Sequence, residues 1–410
     1  MEYQLSTLPN GIRVLHKQQS STNIAHCCVV INSGSRDERE GKEGLAHFIE
    51  HLLFKGTEKR NTYHLLNRME VVGGEINAYT TKEQTCVHAS FLDQHLERAV
   101  ELLADITFHS RFPQAELEKE KSVILDEIDS YKDLPEESIQ DDFEELIFAG
   151  HTLGNNILGT EESVKRLSRE DIFGYIAENY KTSEIILAVY GSFEWKKVMK
   201  MAEKYFGNVP VNNSERTRIA VNPYQVKSLR VPKPIYQSHA MIGSRCYHLS
   251  DEKKTAMLLL NNYLGGPGMS SRLNLEIREK HGICYTIESN YTPMTDTGLF
   301  SIYMGTDKGK MDKCMALVMK ELKTLRENKL GTMALHQAKQ KLIGQISLSE
   351  ESRLSVIISI AKSILDHGTS DSLEEIYRKI NAVSAGQLLE ICNEILVPDY
   401  LSSLTFIPEN

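Results

Sequence analysis

Two histidines and a glutamate stand close together in the segment His47-Phe48-Ile49-Glu50-His51. On a helix, positions i and i+4 lie on one face about one turn apart, so His47 and His51 can bind one metal ion. Glu50 lies between them, near enough to act on a metal-bound water without being a ligand itself. This order of residues, H-x-x-E-H, is the inverse of the common zincin motif and occurs in zinc hydrolases. The segment therefore indicates hydrolysis at a metal ion.

The residues around this motif predict the helix that must position it. Apolar residues recur there at helical spacing, with Gly44 near the start and Gly56 after the end. These apolar residues are Leu45, Phe48, Ile49, Leu52 and Leu53. We expect a helix over residues 43–54 that is anchored by its apolar face while the histidines face a cleft. The alternative is an amphipathic helix whose two histidines simply face solvent.

A catalytic zinc site also needs a third protein ligand and an open position for water. Glu120 and Glu127 are two helical turns apart in a predicted helix over 114–132, so they share a face. Neighbouring Val123, Ile124 and Ile128 indicate burial, and a buried carboxylate usually has a partner because an isolated buried charge is expensive. Most acidic residues here belong to a solvated charge run, but we single out Glu127.

At this point the chain resembles the pitrilysin-type (M16) metallopeptidases. In that family a glutamate follows H-x-x-E-H after about 75 residues and is itself preceded by another glutamate seven residues before, as Glu127 and Glu120 are here. The match covers nearly the whole chain, and the length is that of the short subfamily of bacterial and mitochondrial processing peptidases. Further matching segments lie at 54–57, 73–80, 82–85, 268–273 and 277–285.

The resemblance implies that His47, His51 and Glu127 bind one zinc ion per chain and that Glu50 is the general base. It also implies that Glu120 orients a ligating histidine. Zinc lowers the pKa of its bound water to about 7, Glu50 takes the proton, and the hydroxide attacks a peptide carbonyl. Glu50 can then return the proton to the leaving amine.

The chain of 410 residues is too long for one core, and its pattern of strands and helices restarts after a proline-rich stretch. We predict a metal-binding domain over 1–207, a linker over 208–234 and a second domain over 235–410. Placing residues 334–335 on 116–117 puts Gln345 on Glu127, a faint internal repeat with the ligand lost. The predicted fold class is α+β, with two similar domains that each pack several helices on a mostly antiparallel sheet. One long helix is predicted over 333–365.

The resemblance assigns substrate binding to two further places. Arg278 and Tyr285 match the family's substrate-binding pair, in which an arginine holds a peptide carbonyl and a tyrosine stabilises the oxyanion. In short members the pair reaches the metal from the partner subunit. This chain carries both the zinc motif and the pair, so we expect a homodimer, although a heterodimer with a related chain stays open. Asn77, Ala78 and Tyr79 lie in the family's edge strand, where an extended peptide can add as a further strand.

Composition excludes several other classes of protein. The formal net charge of −9 disfavours nucleic-acid binding, and no apolar run is long enough to span a membrane. The seven cysteines are odd in number and lack C-x-x-C spacing, which favours free thiols in a reducing compartment. We therefore expect a cytoplasmic protein without a leader peptide.

Three functions are compatible with these patterns, and the first is favoured. It is a zinc endopeptidase that hydrolyses peptides or unfolded segments in an enclosed dimer chamber. The alternative is a noncatalytic structural or partner subunit of a larger peptidase or membrane-associated complex, which the intact His47, Glu50, His51 and Glu127 disfavour. A purely structural zinc would need a closed four-ligand site, and no fourth ligand is evident.

Overall fold

Residues 3–409, which the computed structural model describes, contain a six-stranded and a five-stranded β-sheet. The first sheet has the order β1-β2-β6-β3-β5-β4, which leaves β4 at an edge. Its strands are β1 Gln4–Thr7, β2 Arg13–Gln18, β3 Ile24–Ile31, β4 Glu75–Thr80, β5 Thr85–Leu92 and β6 Ile185–Gly191. The second has the order β7-β11-β8-β10-β9, with strands β7 Ser228–Lys233, β8 Gln237–Cys246, β9 Thr286–Pro293, β10 Gly298–Asp307 and β11 Ser402–Pro408.

Helices cover both sheets. Those before β7 are α1 Leu45–Leu53, α2 Thr62–Glu70, α3 Leu96–Phe108, α4 Gln114–Lys132, α5 Pro135–Ile147, α6 Glu161–Arg166, α7 Arg169–Asn179 and α8 Trp195–Phe206. Those after β8 are α9 Lys254–Gly265, α10 Met311–Glu327, α11 Thr332–Ser349, α12 Arg353–His367, α13 Leu373–Ala382 and α14 Ala385–Ile395. A π-helical segment, Asn274–Glu279, follows α9.

The two sheets share one topology. In the first, β2 is parallel to β6, and β6, β3, β5 and β4 follow in antiparallel pairs. In the second, β7 is parallel to β11, and β11, β8, β10 and β9 follow in the same manner. In each sheet a strand from the start of the unit, β2 or β7, thus pairs with the strand that comes last in the chain, β6 or β11. The first sheet has β1 as an additional edge strand. The predicted α+β fold with two similar domains is confirmed, and the repeat is visible in strand order.

The central strands are buried on both faces, which explains their almost unbroken apolar sequence. In β3, Ala25, Cys27 and Val29 face the core that contains α1 and α3. Cys28 and Val30 point to the opposite face, where α12 covers them. The core of the second unit is built likewise from its sheet and from α9, α10 and α14.

The predicted linker over 208–234 is wrong at its end, because Ser228–Lys233 forms strand β7. The prolines of this segment favour an irregular chain in the sequence. However, β7 is an edge strand, and an edge position tolerates Pro232 because one side of the strand has no neighbour to receive an N–H. By topology β7 is the counterpart of β2 and therefore part of the second sheet.

The predicted helix over 333–365 is also wrong, because the chain leaves the helix after Ser349 and restarts at Arg353. The two parts belong to different compact units: residues 349–372 join the first unit, and residues up to 348 join the second. The physical reason is that α12 buries Val356, Ile357 and Ile360 on the outer face of the first sheet.

A matching exchange occurs in the first half of the chain. Residues 130–154 join the second unit, where Ile139 and Phe143 of α5 pack on Met241 and Phe406 of the second sheet. The predicted domains over 1–207 and 235–410 therefore need correction at these two segments. In each half of the chain, the helix that follows the long helix covers the sheet formed by the other half. Within residues 3–409, no helix combines the length and apolarity needed to cross a membrane.

Candidate active site

Helix α1, which carries the H-x-x-E-H motif, starts at a glycine that no other residue could replace easily. Gly44 has a φ of 89°, a left-handed conformation that favours glycine, and a Cβ there would lie 2.5 Å from the carbonyl oxygen of Leu158. The buried carboxylate of Glu38 accepts the backbone N–H groups of Gly44 at 3.1 Å and Ala46 at 2.8 Å. These contacts satisfy N–H groups that a helix start leaves unpaired, and burial raises the pKa of the Glu38 carboxyl group well above its ordinary value.

The apolar face of α1 fixes the orientation of the motif. Phe48, Ile49 and Leu52 are buried in the core of the first unit, as the sequence predicts. The opposite face carries His47 and His51, whose ring centroids lie 4.6 Å apart. The helical spacing alone therefore brings the two imidazoles together.

Glu127 on α4 completes a group of three possible metal donors. Its Oε2 lies 4.0 Å from Nε2 of His47 and 3.8 Å from Nε2 of His51. One donor atom from each residue lies within 4.8 Å of the others, and the described part of the chain contains no second group of this kind. Zinc bonds of about 2.0–2.2 Å in a tetrahedral site place donor atoms roughly 3.3–3.5 Å apart, so a closure of at most about 1.5 Å would suffice.

Glu120, two helical turns before Glu127 on α4, contacts the other imidazole nitrogen of His51. The Nδ1 of His51 lies 3.2 Å from Oε2 of Glu120, while Nζ of Lys55 lies 2.7 Å from its Oε1. Only 6% of the Glu120 side chain is exposed, so the ammonium of Lys55 compensates a nearly buried carboxylate. This contact fixes the ring of His51 with Nε2 towards Glu127. His47 has no such partner, since its Nδ1 is buried without a hydrogen bond.

The protonation of these groups suits metal binding and base chemistry. Burial, with a smaller contribution from His51, lowers the pKa of His47 to about 4, so its imidazole is neutral near pH 7 and has a free lone pair. Burial also raises the pKa of Glu50 above its ordinary value, and Glu127 adds to the rise. Thr80 and His51 act in the opposite direction on the pKa of Glu50. Glu50 is thus a carboxylate whose proton affinity is increased by its surroundings.

Strand β4 lies at the edge of the sheet beside this group. The backbone N–H of Thr81 donates to Gln84 in the turn after β4, so by alternation Ala78 and Thr80 direct their N–H groups away from β5. Oδ1 of Asn77 accepts the N–H of Ala78 at 2.8 Å. The backbone N–H of Thr80 lowers the pKa of Glu50. The edge therefore presents main-chain groups near the candidate base.

A cavity of about 370 Å³ opens between α1, α2 and β4. Glu50, His51, Lys55 and Glu120 line one part of it. The rest is lined by Phe54, Thr62, Leu66, Ile76 and Asn77. The cavity thus joins the candidate base to a mostly apolar recess that can receive a side chain.

Arg278 and Tyr285 lie in the second unit, Arg278 in the π-helical segment and Tyr285 directly before β9. Both side chains are accessible: that of Arg278 is 43% exposed, and the residue Tyr285 is 58% exposed. The hydroxyl of Tyr285 donates to Asp307 at 2.8 Å, and Asp307 also binds Lys310 at 2.6 Å. Their role in substrate binding stays a prediction.

Sequence patterns do not single out three residues of this site for the roles that they have in it. Lys55 and Thr80 stand inside segments that match the family, yet single-residue chemistry gives no reason to select them. Glu38 precedes the motif by more than two helical turns and looks like one more residue of a charged surface run. A signal was available only for Glu38, since a carboxylate shortly before a predicted helix start is a common cap.

Comparison with known proteins agrees with this geometry. The fold and the His–His–Glu group are those of a candidate metal-dependent hydrolase. The profile of the family described as Insulinase (Peptidase family M16) matches residues 13–161, and that of the Peptidase M16 inactive domain matches residues 166–342. The chain belongs to peptidase family M16.

Relatives of similar length are named zinc proteases. The chain is 31% identical to the uncharacterized zinc protease YmxG of Bacillus subtilis over 97% of both chains. It is also 31% identical to the uncharacterized zinc protease ML0855 of Mycobacterium leprae over 96% of this chain and 89% of that one. Among solved structures, a protease from Helicobacter pylori superposes with a TM-score of 0.92 at 20% identity, covering 99% of each chain. The structure of a peptidase M16 inactive domain from Pseudomonas fluorescens superposes with a TM-score of 0.91 at 19% identity. The match covers 100% of this chain and 99% of that one.

Proposed function

We propose that this protein is a zinc endopeptidase that hydrolyses peptides or unfolded segments, with Glu50 as the general base. The observation that carries the proposal is the convergence of His47, His51 and Glu127 beside Glu50, with donor atoms of the three within 4.8 Å of one another. The alternative of a noncatalytic subunit gives no reason for a chain to keep this complete set of donors.

The donor set fits zinc and leaves room for a fourth ligand. Two imidazole nitrogens and one carboxylate are a common set in catalytic zinc sites, which keep one position for solvent. A bound zinc ion would supply a Lewis acid that polarises a peptide carbonyl and makes water acidic near pH 7. We propose one zinc ion per chain, because the internal repeat places Gln345 where Glu127 would be and the second half lacks H-x-x-E-H.

Glu50 would act on the proton. Its raised pKa brings its proton affinity closer to that needed at neutral pH, which favours a group that accepts a proton from the attacking water. The same carboxyl group would then donate this proton to the leaving amine. Thr80 on β4 keeps the carboxylate near the strand where the substrate backbone is proposed to lie.

The substrate would bind to β4 in extended conformation. Main-chain pairing with an edge strand recognises a peptide without demanding a particular sequence, so we expect broad specificity. Ala78 directs its N–H outward, and Asn77 covers that N–H with its own side chain until a peptide replaces it. Tyr79 belongs to the same edge, and the neighbouring recess with Phe54 and Leu66 would receive an apolar side chain.

We further propose that Arg278 and Tyr285 bind the substrate carbonyl and stabilise the developing oxyanion from the second subunit of a homodimer. Tyr285 can serve as a hydrogen-bond donor, because Asp307 raises the pKa of its phenol and keeps it protonated. To reach a substrate, its hydroxyl would have to leave Asp307. The two subunits would then enclose a chamber that admits unfolded chains only.

Substitution of the base tests the proposal. Glu50→Gln keeps the shape of the side chain but cannot accept the proton, so we expect zinc content to stay unchanged and hydrolysis of a quenched peptide library to fall about 10²–10⁴-fold. The matched control is Glu58→Gln, which alters an exposed glutamate outside the site and should hydrolyse like the parent protein. Unchanged turnover in Glu50→Gln would remove Glu50 from the base role.

A further inference from the structure

A second cavity lies in the first unit and has no part in the proposed catalysis. It has a volume of about 300 Å³ and lies between the end of α3, helix α7 and the chain after α8. Aromatic rings form much of its wall, namely Phe108, Phe112, Phe173, Tyr180 and Tyr205. This volume is at the lower end of the range of small-molecule sites, and an apolar lining with a few polar groups is typical of them.

The lining sets the charge of a possible ligand. The described residues that line the cavity include no aspartate, glutamate, lysine or arginine, and His109 is the one lining side chain that can carry a positive charge. A cationic ligand would lose its hydration there without gaining an opposite charge, which is expensive, and an anionic ligand would gain one only from a protonated His109. One polar group is available to a ligand: the hydroxyl of Thr107, a lining residue that is only 4% exposed, has no hydrogen-bond partner. This hydroxyl is screened from solvent, so the side chain must turn towards the cavity to meet a ligand.

Side-chain hydrogen bonds hold the walls in place. The amide nitrogen of Asn212 donates to the backbone oxygens of Ala177 and Tyr180, at 3.0 Å each. The amide of Asn10 donates to Val209 at 3.0 Å and to Phe206 at 2.8 Å. Each asparagine thus fixes a chain segment beside the cavity by two bonds. A cavity whose walls are already ordered loses little entropy when a ligand binds.

One wall residue is held in an unfavourable conformation. Phe112 has a φ of 48°, in the left-handed region that bulky residues seldom adopt. Arg169 fixes it by donating to the backbone oxygens of Phe112 at 3.0 Å and Arg111 at 2.8 Å while it stacks on Phe173 at 4.8 Å. Strain of this kind persists where surrounding contacts enforce it, and such positions are frequent at ligand sites. Here the enforced conformation accompanies a ring in the wall of the cavity.

We propose that this cavity binds a small uncharged molecule with an aromatic body and a single hydrogen-bonding group. The aromatic body contacts the surrounding rings in edge-to-face or offset geometry, the arrangements that rings prefer. The hydrogen-bonding group pairs with the hydroxyl of Thr107. This inference is independent of the proposed peptidase activity.

The test uses the full chain and 2-naphthol, which has a flat aromatic body and one hydroxyl. Titration followed by naphthol fluorescence and by calorimetry is expected to show one site with a Kd on the order of 0.1–1 mM, a strength usual for a ligand of this size. The charged analogue 2-naphthoate is expected to bind at least about 10-fold more weakly, because its carboxylate would be desolvated. Equal or tighter binding of 2-naphthoate would overturn the assignment of an uncharged ligand.

Two variants locate the binding. Ala177→Trp places an indole at the wall and is expected to weaken 2-naphthol binding at least about 10-fold, whereas the matched control Ala382→Trp in α13 changes nothing. Thr107→Val keeps the volume but removes the hydroxyl, and a fall of roughly 3–10-fold is expected. Equal binding by the parent protein and Ala177→Trp, or no saturable binding at all, would overturn the proposal. Circular dichroism identifies any variant that fails to fold. If Ala177→Trp does not fold, the change in 2-naphthol affinity of Thr107→Val decides whether the cavity is the binding site.

Discussion

At the scale of single residues, the candidate site contains two consecutive side-chain contacts, from Lys55 to Glu120 and from Glu120 to His51. The two contacts measure 2.7 Å and 3.2 Å, and Glu120 is almost entirely buried. Without Lys55, the nearly buried carboxylate of Glu120 would lose its compensating charge, and its contact with His51 would be less well held. Lys55 is therefore a positioning residue for a proposed zinc ligand.

Replacement of Lys55 tests this role. Lys55→Met is expected to lower zinc affinity about 10-fold, the lower end of the effect of removing groups that support metal ligands. The measurement is competition with a zinc chelator, which reports metal affinity apart from turnover. Lys55→Arg is expected to retain most of the affinity. Lys119→Met is the control. The ammonium of Lys119 pairs with Glu116 on the exposed side of α4, the helix that also carries Glu120. Equal affinity in Lys55→Met and Lys119→Met would contradict the role of Lys55.

At the scale of secondary-structure elements, the site depends on how α1 begins. Glu38 accepts two N–H groups at that point, and Gly44 adopts the left-handed conformation that turns the chain into the helix. Removing this carboxyl group would leave two buried N–H donors unsatisfied at the helix start.

We expect Glu38→Ala to lower the free energy of unfolding by about 1–3 kcal/mol, the usual effect of leaving a buried polar group unpaired. Denaturant unfolding of the metal-free protein measures it, and the neighbouring exposed Glu40→Ala serves as the control. The two variants should also differ in zinc affinity, because a displaced α1 moves both histidines. If both variants unfold at the same denaturant concentration, the cap does not stabilise the helix.

The success of sequence reasoning at this scale follows from periodicity. Helix α1 has a clear apolar period and α4 is long, so the spacing of the candidate ligands on them can be read directly. These residues are His47, His51, Glu120 and Glu127. The break between α11 and α12 escapes detection because the residues around it, Glu350 to Ser352, contain neither glycine nor proline. Strand β7 escapes because its proline resembles a linker signal, whereas its edge position, known only from the folded sheet, makes the proline acceptable.

Long-range packing is also the part that sequence could not supply. The sequences of α12 and α5 do not specify which sheet their apolar faces cover, because either helix could pack on any apolar sheet face. Hence the simple division into two contiguous domains overlooked both exchanged segments. For the same reason Glu38, Lys55 and Thr80 gain their roles only from residues distant in sequence or from backbone groups.

At the scale of the whole molecule, the proposed homodimer predicts that two inactive variants can restore activity when they are mixed. Arg278→Ala should keep its zinc but lose most turnover, because Arg278 would act on the substrate and not on the metal. A mixture of Arg278→Ala with Glu50→Gln should regain activity, since each mixed dimer contains one site with both groups intact. Random pairing predicts a recovery of about a quarter of the parent activity for a two-fold dimer with shared sites.

The control for this mixture pairs two variants in the same unit. Glu50→Gln mixed with Glu127→Gln should recover nothing, because both residues lie beside the same metal position. No recovery in the first mixture after subunit exchange, shown by native mass spectrometry of differently tagged chains, would argue against shared sites. Recovery in both mixtures would mean that the sites of a chain are not those proposed.

The measurement that most directly tests the central claim is the zinc content of the purified protein and of its Glu127→Gln variant by inductively coupled plasma mass spectrometry. If His47, His51 and Glu127 together hold the ion, the parent protein binds one zinc per chain and Glu127→Gln binds far less after the same dialysis. Circular dichroism must show that the variant is folded. Full zinc occupancy in folded Glu127→Gln, or a folded parent protein that binds no zinc, would contradict the claim.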